Sequence, residues 1–399
     1  MNRWKNKNKE DVKMKSRLTT ANLWHSHTKI LIAGLIVLAV AAAIIAVVRF
    51  DTTGKKGSGL GQEFIYDVGD LGKIDPNLIL YKESAPAIDT RFSESRAVAL
   101  DSRGTIYVAG DKAIRKFDEN GNELGEIKLT DAPMCLTIDT DGKIYIGMTN
   151  YVQVYGNQPK LLATWQNLGD AAVLTSIAVS KNDVFVADAG NRIVHRFDKT
   201  GKFINHIGAK DKDRNIPGFV IPSPYFDLAV ARDGLLRVTN PGQHRIEAYT
   251  FDGDLEFSWG RFSAGVEGFC GCCNPVNFAQ LEDENFVTCE KGLIRIKIYD
   301  PEGAFAGVVA GPEQLVEGGA SRVSEFGPAS HAGGFDVAVN PNGRIFVLDT
   351  IKNTVRIFTR GPQTHYFAFG EPPGIPKRNN WWARCFVCAK QTSGPERGL

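Results

Sequence analysis

The sequence has no excess of charge of either sign: 47 Lys and Arg stand against 45 Asp and Glu in 399 residues, a formal net +2. A nucleic-acid binder carries a strong basic surplus, so that class is excluded. Long apolar runs are absent with one exception, which excludes a polytopic membrane protein. A hydrophobic content of 43% with balanced charge excludes a disordered chain. Catalytic signatures are equally scarce. The histidines after the apolar run, His195, His206, His244, His331 and His365, form no HxH or HExxH pattern, and there is no phosphate-binding Gly loop or nucleophile elbow. The pair Cys385 and Cys388 is followed by Ala389 where c-type haem attachment needs His, and no βαβ pattern surrounds it for thioredoxin chemistry.

The exception among apolar runs is ILIAGLIVLAVAAAIIAVV, Ile30 to Val48, 19 residues without a charged or polar side chain. At about 1.5 Å per residue a helix of that length crosses a ~30 Å hydrocarbon core with its own backbone satisfied. Ahead of it lie eight basic side chains, Arg3, Lys5, Lys7, Lys9, Lys13, Lys15, Arg17 and Lys29, with Glu10 and Asp11 the only acids. The positive-inside rule keeps residues 1–29 cytoplasmic and exports the chain beyond Arg49, as a periplasmic or extracellular domain. The competing expectation is a cleaved signal peptide, for which Ala41, Ala42 and Ala43 offer small residues. Both the apolar run and its leader exceed the usual signal-peptide lengths, which favours an uncleaved signal anchor in the cytoplasmic membrane. Residues 49–61, rich in Gly and Ser, read as a flexible linker. The short basic tail suits contact with anionic lipid better than a separate signalling domain. It holds +6 of the total charge, leaving −4 on the remaining chain.

An internal repeat decides the fold class. AVALDSRGTIYVAG from Ala97, CLTIDTDGKIYIG from Cys135, SIAVSKNDVFVAD from Ser176, DLAVARDGLLRVTN from Asp227, NFAQLEDENFVTCE from Asn277 and DVAVNPNGRIFVLD from Asp336 share one grammar, at separations of 38 to 59 residues. Each is an apolar strand, a polar turn and a second β-branched or aromatic strand. Third and fourth strands come next most clearly in GNRIVHRFDKTGKFINHIG, from Gly190. Such strands cannot bury both faces alone and need neighbouring sheets. The segments resemble NHL repeats over about three hundred residues, and GFCGCCNP with TCEKG is similar to a bacterial group of membrane-anchored NHL proteins. The resemblance implies an all-β six-bladed β-propeller over residues 62–370, then a Cys- and Trp-bearing tail, 371–399. A WD40 propeller is the alternative, but no Trp-Asp or Gly-His signature recurs. For ring closure, Asn77 to Tyr81 offers an added strand, while the sixth repeat offers its own fourth strand in KNTVRIFTRGPQTHYFAFG from Lys352.

Propeller geometry gathers ligand-binding groups at the face where the inner strands begin. Cys270, Cys272 and Cys273 map to that face just before the first strand of blade five, and Cys289 to the end of its second strand, in the column expected to hold Asp188 and Asp349. Cys385 and Cys388 can join them from the tail. Three readings stay open: disulfides, which an exported domain permits with Cys135 buried apart; a thiolate site for Zn, Cu or an Fe–S cluster; and a thiol redox relay. Trp381, Trp382 and Phe386 read as groups that dock the tail, meet the membrane surface or mark a partner site. A second column, Ala97, Cys135, Ser176, Asp227, Asn277 and Asp336, opens the inner strands. Asp227, Asn277 and Asp336 offer oxygens for Ca²⁺ or another hard cation at the channel mouth; the competing and favoured expectation is that they bond nearby backbone. The expected function is a membrane-anchored extracytoplasmic binding or assembly module with a protein partner on the propeller face. The alternative is a propeller enzyme of lyase or lactonase type with a cation in the channel.

Overall fold

The computed structural model describes residues 34–41, 71–84, 86–320 and 333–361. The chain divides into two units, Met1–Asp67 and Val68–Leu399. In the first, residues 34–41 are helical. Among the described residues no helix is long and apolar enough to cross a membrane. The rest of the expected span, Ile30 to Val48, lies outside the described residues, as do Cys385, Cys388 and the aromatic groups of the tail.

The second unit is built by one local rule used six times. Second strands such as Ile106–Gly110, Asp183–Asp188 and Ile345–Asp349 are buried at every residue. Unbroken β-branched and aromatic sequence suits a strand covered on both faces. The turns between strands are set by short polar side chains. Asp101 Oδ1 accepts from the backbone N–H groups of Arg103 and Thr105, and Gly104 completes the turn at φ 84°, a left-handed conformation that glycine adopts without strain. The same device recurs at Asp118, whose Oδ1 accepts from the N–H groups of Asn120 and Asn122.

Six antiparallel sheets result, and their order defines a six-bladed propeller. From the inner to the outer strand, blade one holds Ser95–Leu100, Ile106–Gly110, Ala113–Phe117 and Glu123–Lys128; blade two Cys135–Ile138, Ile144–Gly147, Val152–Tyr155 and Leu161–Thr164. Blade three holds Leu174–Val179, Asp183–Asp188, Ile193–Asp198 and Phe203–Ile207; blade four Leu228–Val230, Leu236–Asn240, Arg245–Tyr249 and Leu255–Trp259. Blade five holds Asn277–Gln280, Phe286–Glu290, Arg295–Tyr299 and Phe305–Ala310, and blade six Asp336–Val339, Ile345–Asp349 and Thr354–Arg360. First strands of successive blades touch around the ring, the sixth meeting the first. Neighbouring sheets share apolar layers: Ala97, Tyr107 and Ile114 of blade one pack with Leu136, Ile144 and Ile146 of blade two. A side chain as fully enclosed as Phe185 contributes about 2–3 kcal/mol of transfer free energy.

The ring is closed from its N-terminal side. Tyr81–Glu83 takes the outer position of blade six, antiparallel to Thr354–Arg360, with Tyr81 opposite Arg360 and Glu83 opposite Phe358. Ile88–Asp89 pairs the other end of the same strand. The added strand therefore begins where the expected stretch Asn77 to Tyr81 ends. The competing candidate after Gly361 lies outside the described residues.

Candidate functional site

The inner-strand column is assembled as the repeat alignment requires. Ala97, Cys135, Ser176, Asp227, Asn277 and Asp336 all line one cavity of about 250 Å³ at the ring axis. Its polar members reach sideways to the next blade. Asp227 Oδ1 accepts from Ser176 Oγ (2.6 Å) and Leu228 N (2.8 Å), and Oδ2 accepts from Phe278 N of blade five (2.8 Å). Asp336 Oδ2 accepts from Val98 N of blade one (2.8 Å) and Oδ1 from Val337 N (2.9 Å), while Asn277 Nδ2 donates to Phe335 O (2.8 Å). These side chains fasten neighbouring blades through backbone groups that inner strands otherwise leave unpaired. Burial pushes Asp227 up to about 6, against its hydrogen bonds. Burial and then the nearby Asp227 push Asp336 up to about 7. Cys135 and Cys289 are likewise raised by burial.

The cysteines divide differently from the expectation. Twelve residues separate Ser176 from Asp188 and also Asn277 from Cys289, which suggested one column. Pairing shows otherwise: Cys289 sits opposite Asn277, as Leu348 sits opposite Asp336 and Ala187 opposite Ser176. Glu290 is the residue that shares the column of Asp188 and Asp349. The turn of blade three, Ser180 to Asp183, is one residue shorter than Leu281 to Asn285 in blade five, so counting from the inner strand slips by one. A one-residue slip exchanges faces. Cys289 accordingly packs in an apolar cluster with Val276, Ile294 and Val337.

Glu290 organises the loop before blade five. It is fully enclosed and contacts Arg295 Nε (2.6 Å) and Lys297 Nζ (3.1 Å), both also buried. Burial opposes its charged form, yet Arg295 and Lys297 hold the carboxyl below its usual range; burial pushes Lys297 down to about 8 against the pull of Glu290. The same groups hold the loop by its backbone. Glu290 Oε1 accepts from Cys270 N (2.8 Å), Lys297 Nζ donates to Gly268 O, and Arg295 donates to Ala264 O and Gly265 O (3.3 Å each). Asn274 clamps the far end, accepting from Lys291 N (2.9 Å) and donating to Lys291 O (3.0 Å) and Cys270 O. Between these anchors Cys270 and Cys273 are buried and Cys272 is exposed. Cys272 Sγ and Cys273 Sγ lie 3.0 Å apart. Cys270 packs instead with Leu293. Among the described residues no group of three or more His, Cys, Asp or Glu side chains is placed to hold a metal ion.

Sequence reasoning missed a polar tier that runs through four blades. The residue ending a second strand meets one seven positions later on the third: Asp188 with His195 (3.1 Å), Asn240 with Glu247 (2.9 Å), Glu290 with Lys297 (3.1 Å) and Asp349 with Arg356 (3.8 Å). The repeated spacing is visible in the sequence once the columns are registered. In blade three the tier holds Asp188 down to about 2: burial opposes the charge, and the His195 and Asn191 hydrogen bonds outweigh it. In blade five alone of these the pairing is one carboxylate against two cations.

No protein-family model and no curated protein matches the sequence. Among solved structures, virginiamycin B lyase from Staphylococcus aureus is similar at 14% identity over 70% of this chain and 99% of that chain, with a TM-score of 0.48. The WD40 β-propeller domain of Doa1 is similar at 18% identity over 67% and 79%, TM-score 0.46. A protein of unknown function from Bacteroides thetaiotaomicron is similar at 15% identity over 69% and 72%, TM-score 0.49. The propeller itself is defined by the order and closure of its six sheets.

Proposed function

We propose that the chain is a membrane-anchored, extracytoplasmic propeller of NHL type that works as a binding and assembly module, with the cysteine loop of blade five as its working surface. One observation carries this reading. A solvent-exposed thiol, Cys272, stands on a loop whose backbone is fastened from beneath by the buried Glu290, Arg295 and Lys297. Ionic and polar groups of that kind hold a loop in one conformation at the expense of desolvation, a cost that surface presentation would justify. The channel enzyme has less support, because the oxygens of Asp227 and Asp336 are engaged by backbone N–H groups of their own and neighbouring strands. A protein partner on the face of blade five suits a rigid, partly apolar loop flanked by Phe262, which is 63% exposed.

The test is thiol-directed crosslinking in intact membranes treated first with a reductant that is then removed, with a short bifunctional maleimide attached at Cys272. A discrete adduct from Cys272 in the carbonate-washed membrane fraction, absent in Cys272→Ser, is the expected outcome. Recovery of the chain in the soluble fraction would overturn the anchor. An identical adduct from a control thiol at Thr164→Cys, on the outer strand of blade two, would overturn the choice of surface.

A further inference from the structure

We propose that Cys272 and Cys273 form a vicinal dithiol–disulfide couple, a two-electron exchange site on the face of blade five that reacts with disulfide-bearing molecules. Such a couple needs only the loop and is independent of whether the propeller docks a protein. Its basis is the placement of two adjacent sulfurs 3.0 Å apart, one buried and one exposed, on a backbone fixed at both ends by Glu290 and Asn274.

Among the described residues the ligand count, more than the sulfur separation, argues against a metal site. Two thiolates on one tetrahedral Zn²⁺, with Zn–S near 2.3 Å, stand about 3.8 Å apart. The observed 3.0 Å lies between that separation and a disulfide bond of about 2.05 Å. Among the described residues no third ligand supports chelation: Cys270 packs with Leu293 and Cys289 is enclosed among Val276, Ile294 and Val337. Nor is Cys270 offered as a partner for Cys272, since Cys272 already spends its contact on Cys273. Exposure assigns the order of events. Cys272 is reached by solvent while Cys273 is 2% exposed, so an incoming disulfide meets Cys272 first. The Cys273 hydrogen bond and then burial raise Cys272 above the ordinary thiol range, against the opposing pull of Lys291.

The step balances with a disulfide R–S–S–R as oxidant. The Cys272 thiolate attacks one sulfur, the S–S bond of the oxidant breaks, and R–S⁻ leaves with the electron pair to take up the proton that Cys272 released. Cys273 then attacks the Cys272 sulfur of the mixed disulfide, expelling the second R–S⁻, which takes the Cys273 proton. The protein loses two electrons and two protons, and the oxidant becomes two R–SH.

The experiment equilibrates the purified full chain, in detergent, with mixtures of oxidised and reduced glutathione, then alkylates and maps the peptides by mass. The expected result is joint, reversible loss of both alkylation sites in the peptide carrying Cys272 and Cys273, which becomes lighter by two hydrogens, while far-UV circular dichroism stays unchanged. Cys273→Ser should trap glutathione on Cys272, and Cys272→Ser should abolish that trapping. Because Cys273 is buried, Cys272→Ser is the variant that keeps the test intact if Cys273→Ser does not fold. The proposal is overturned if both thiols alkylate in every mixture, if Cys272 is found bonded to Cys270, Cys385 or Cys388, or if trapping persists in Cys272→Ser. A zinc titration serves as the counter-test: stoichiometric Zn²⁺ bound with loss of alkylation at both sulfurs, and no disulfide form, would also overturn it.

Discussion

Glu290 is the residue on which blade five depends most, because it is the carboxylate that Arg295 and Lys297 share in an enclosed site. Removing one partner of a buried ion cluster leaves uncompensated charge in low dielectric, typically at a cost of about 3–5 kcal/mol. Glu290→Gln is therefore expected to lower the free energy of urea unfolding by that amount. Replacing Glu290, Arg295 and Lys297 together by Met should recover most of the loss, and a triple variant as unstable as the single one would refute the charge argument. The channel acids make a second residue-scale prediction, this time in pH. Asp227 and Asp336 titrate at about 6 and about 7 in the fold against an ordinary value of 3.8. A folded pKa above the unfolded one gives stability that is fully present below about pH 4 and lost as pH rises through 6 to 7. The opposite contribution of Asp188, held at about 2, is lost only as pH falls toward that value, outside this window. The urea midpoint should fall between about pH 5 and about pH 7.5, and Asp336→Asn, the residue type that blade five already carries at Asn277, should flatten the fall. An unchanged slope in Asp336→Asn would assign the pH dependence elsewhere. The inner column was legible because it opens each strand beside an apolar run. In the next tier Asp188 and Asp349 were legible as one column but Glu290 was not, because turns of unequal length hide which residues face one another until the ladders are paired.

Among the elements, the closing strand decides whether six sheets make a ring. Thr354–Arg360 would be a free edge without Tyr81–Glu83, and an unpaired edge is a template for association. The pair is locked by Arg356, which donates to Glu83 Oε1 (3.0 Å) and Oε2 (2.7 Å) and to Gln314 O (2.7 Å) of the short helix after blade five. A chain beginning at residue 85 is expected to lose thermal stability and to associate as concentration rises in gel filtration. Glu83→Ala, which keeps the strand but not the bidentate contact, should cost about 1 kcal/mol, since its carboxylate remains partly exposed. A shortened chain that stays monomeric and equally stable would show that another segment fills the outer position. Repeat grammar made the six sheets readable: strand, Asp turn and strand are local features set by neighbouring residues. Closure was not readable, because Tyr81 and Arg360 are joined by long-range pairing and the sequence offered two candidates of similar β-propensity for one place.

For the whole molecule, the balanced total charge conceals two regions of opposite sign, a +6 tail and a −4 remainder. Every described strand belongs to the unit Val68–Leu399, whose apolar layers are shared between neighbouring sheets. Its stability should therefore be insensitive to the residues before 68. A chain lacking residues 1–48 is expected to be soluble with an unfolding midpoint equal to that of the full chain in detergent, which differential scanning calorimetry measures directly. If the proposed anchor is oriented by its basic tail, replacing Lys5, Lys7, Lys9, Lys13 and Lys15 by Gln removes most of the charge bias that the positive-inside rule acts on. Cys272 supplies the reporter, since it is exposed and its loop is fixed. In intact cells with a permeable outer barrier, a membrane-impermeant maleimide should label Cys272 of the unaltered chain, provided the pair has first been reduced. Labelling should fall in the Gln variant as a fraction of chains adopts the reverse orientation. Equal labelling of both would mean that the propeller is exported without help from the tail charge, and no labelling of either would place blade five on the cytoplasmic side, where glutathione would keep Cys272 and Cys273 reduced.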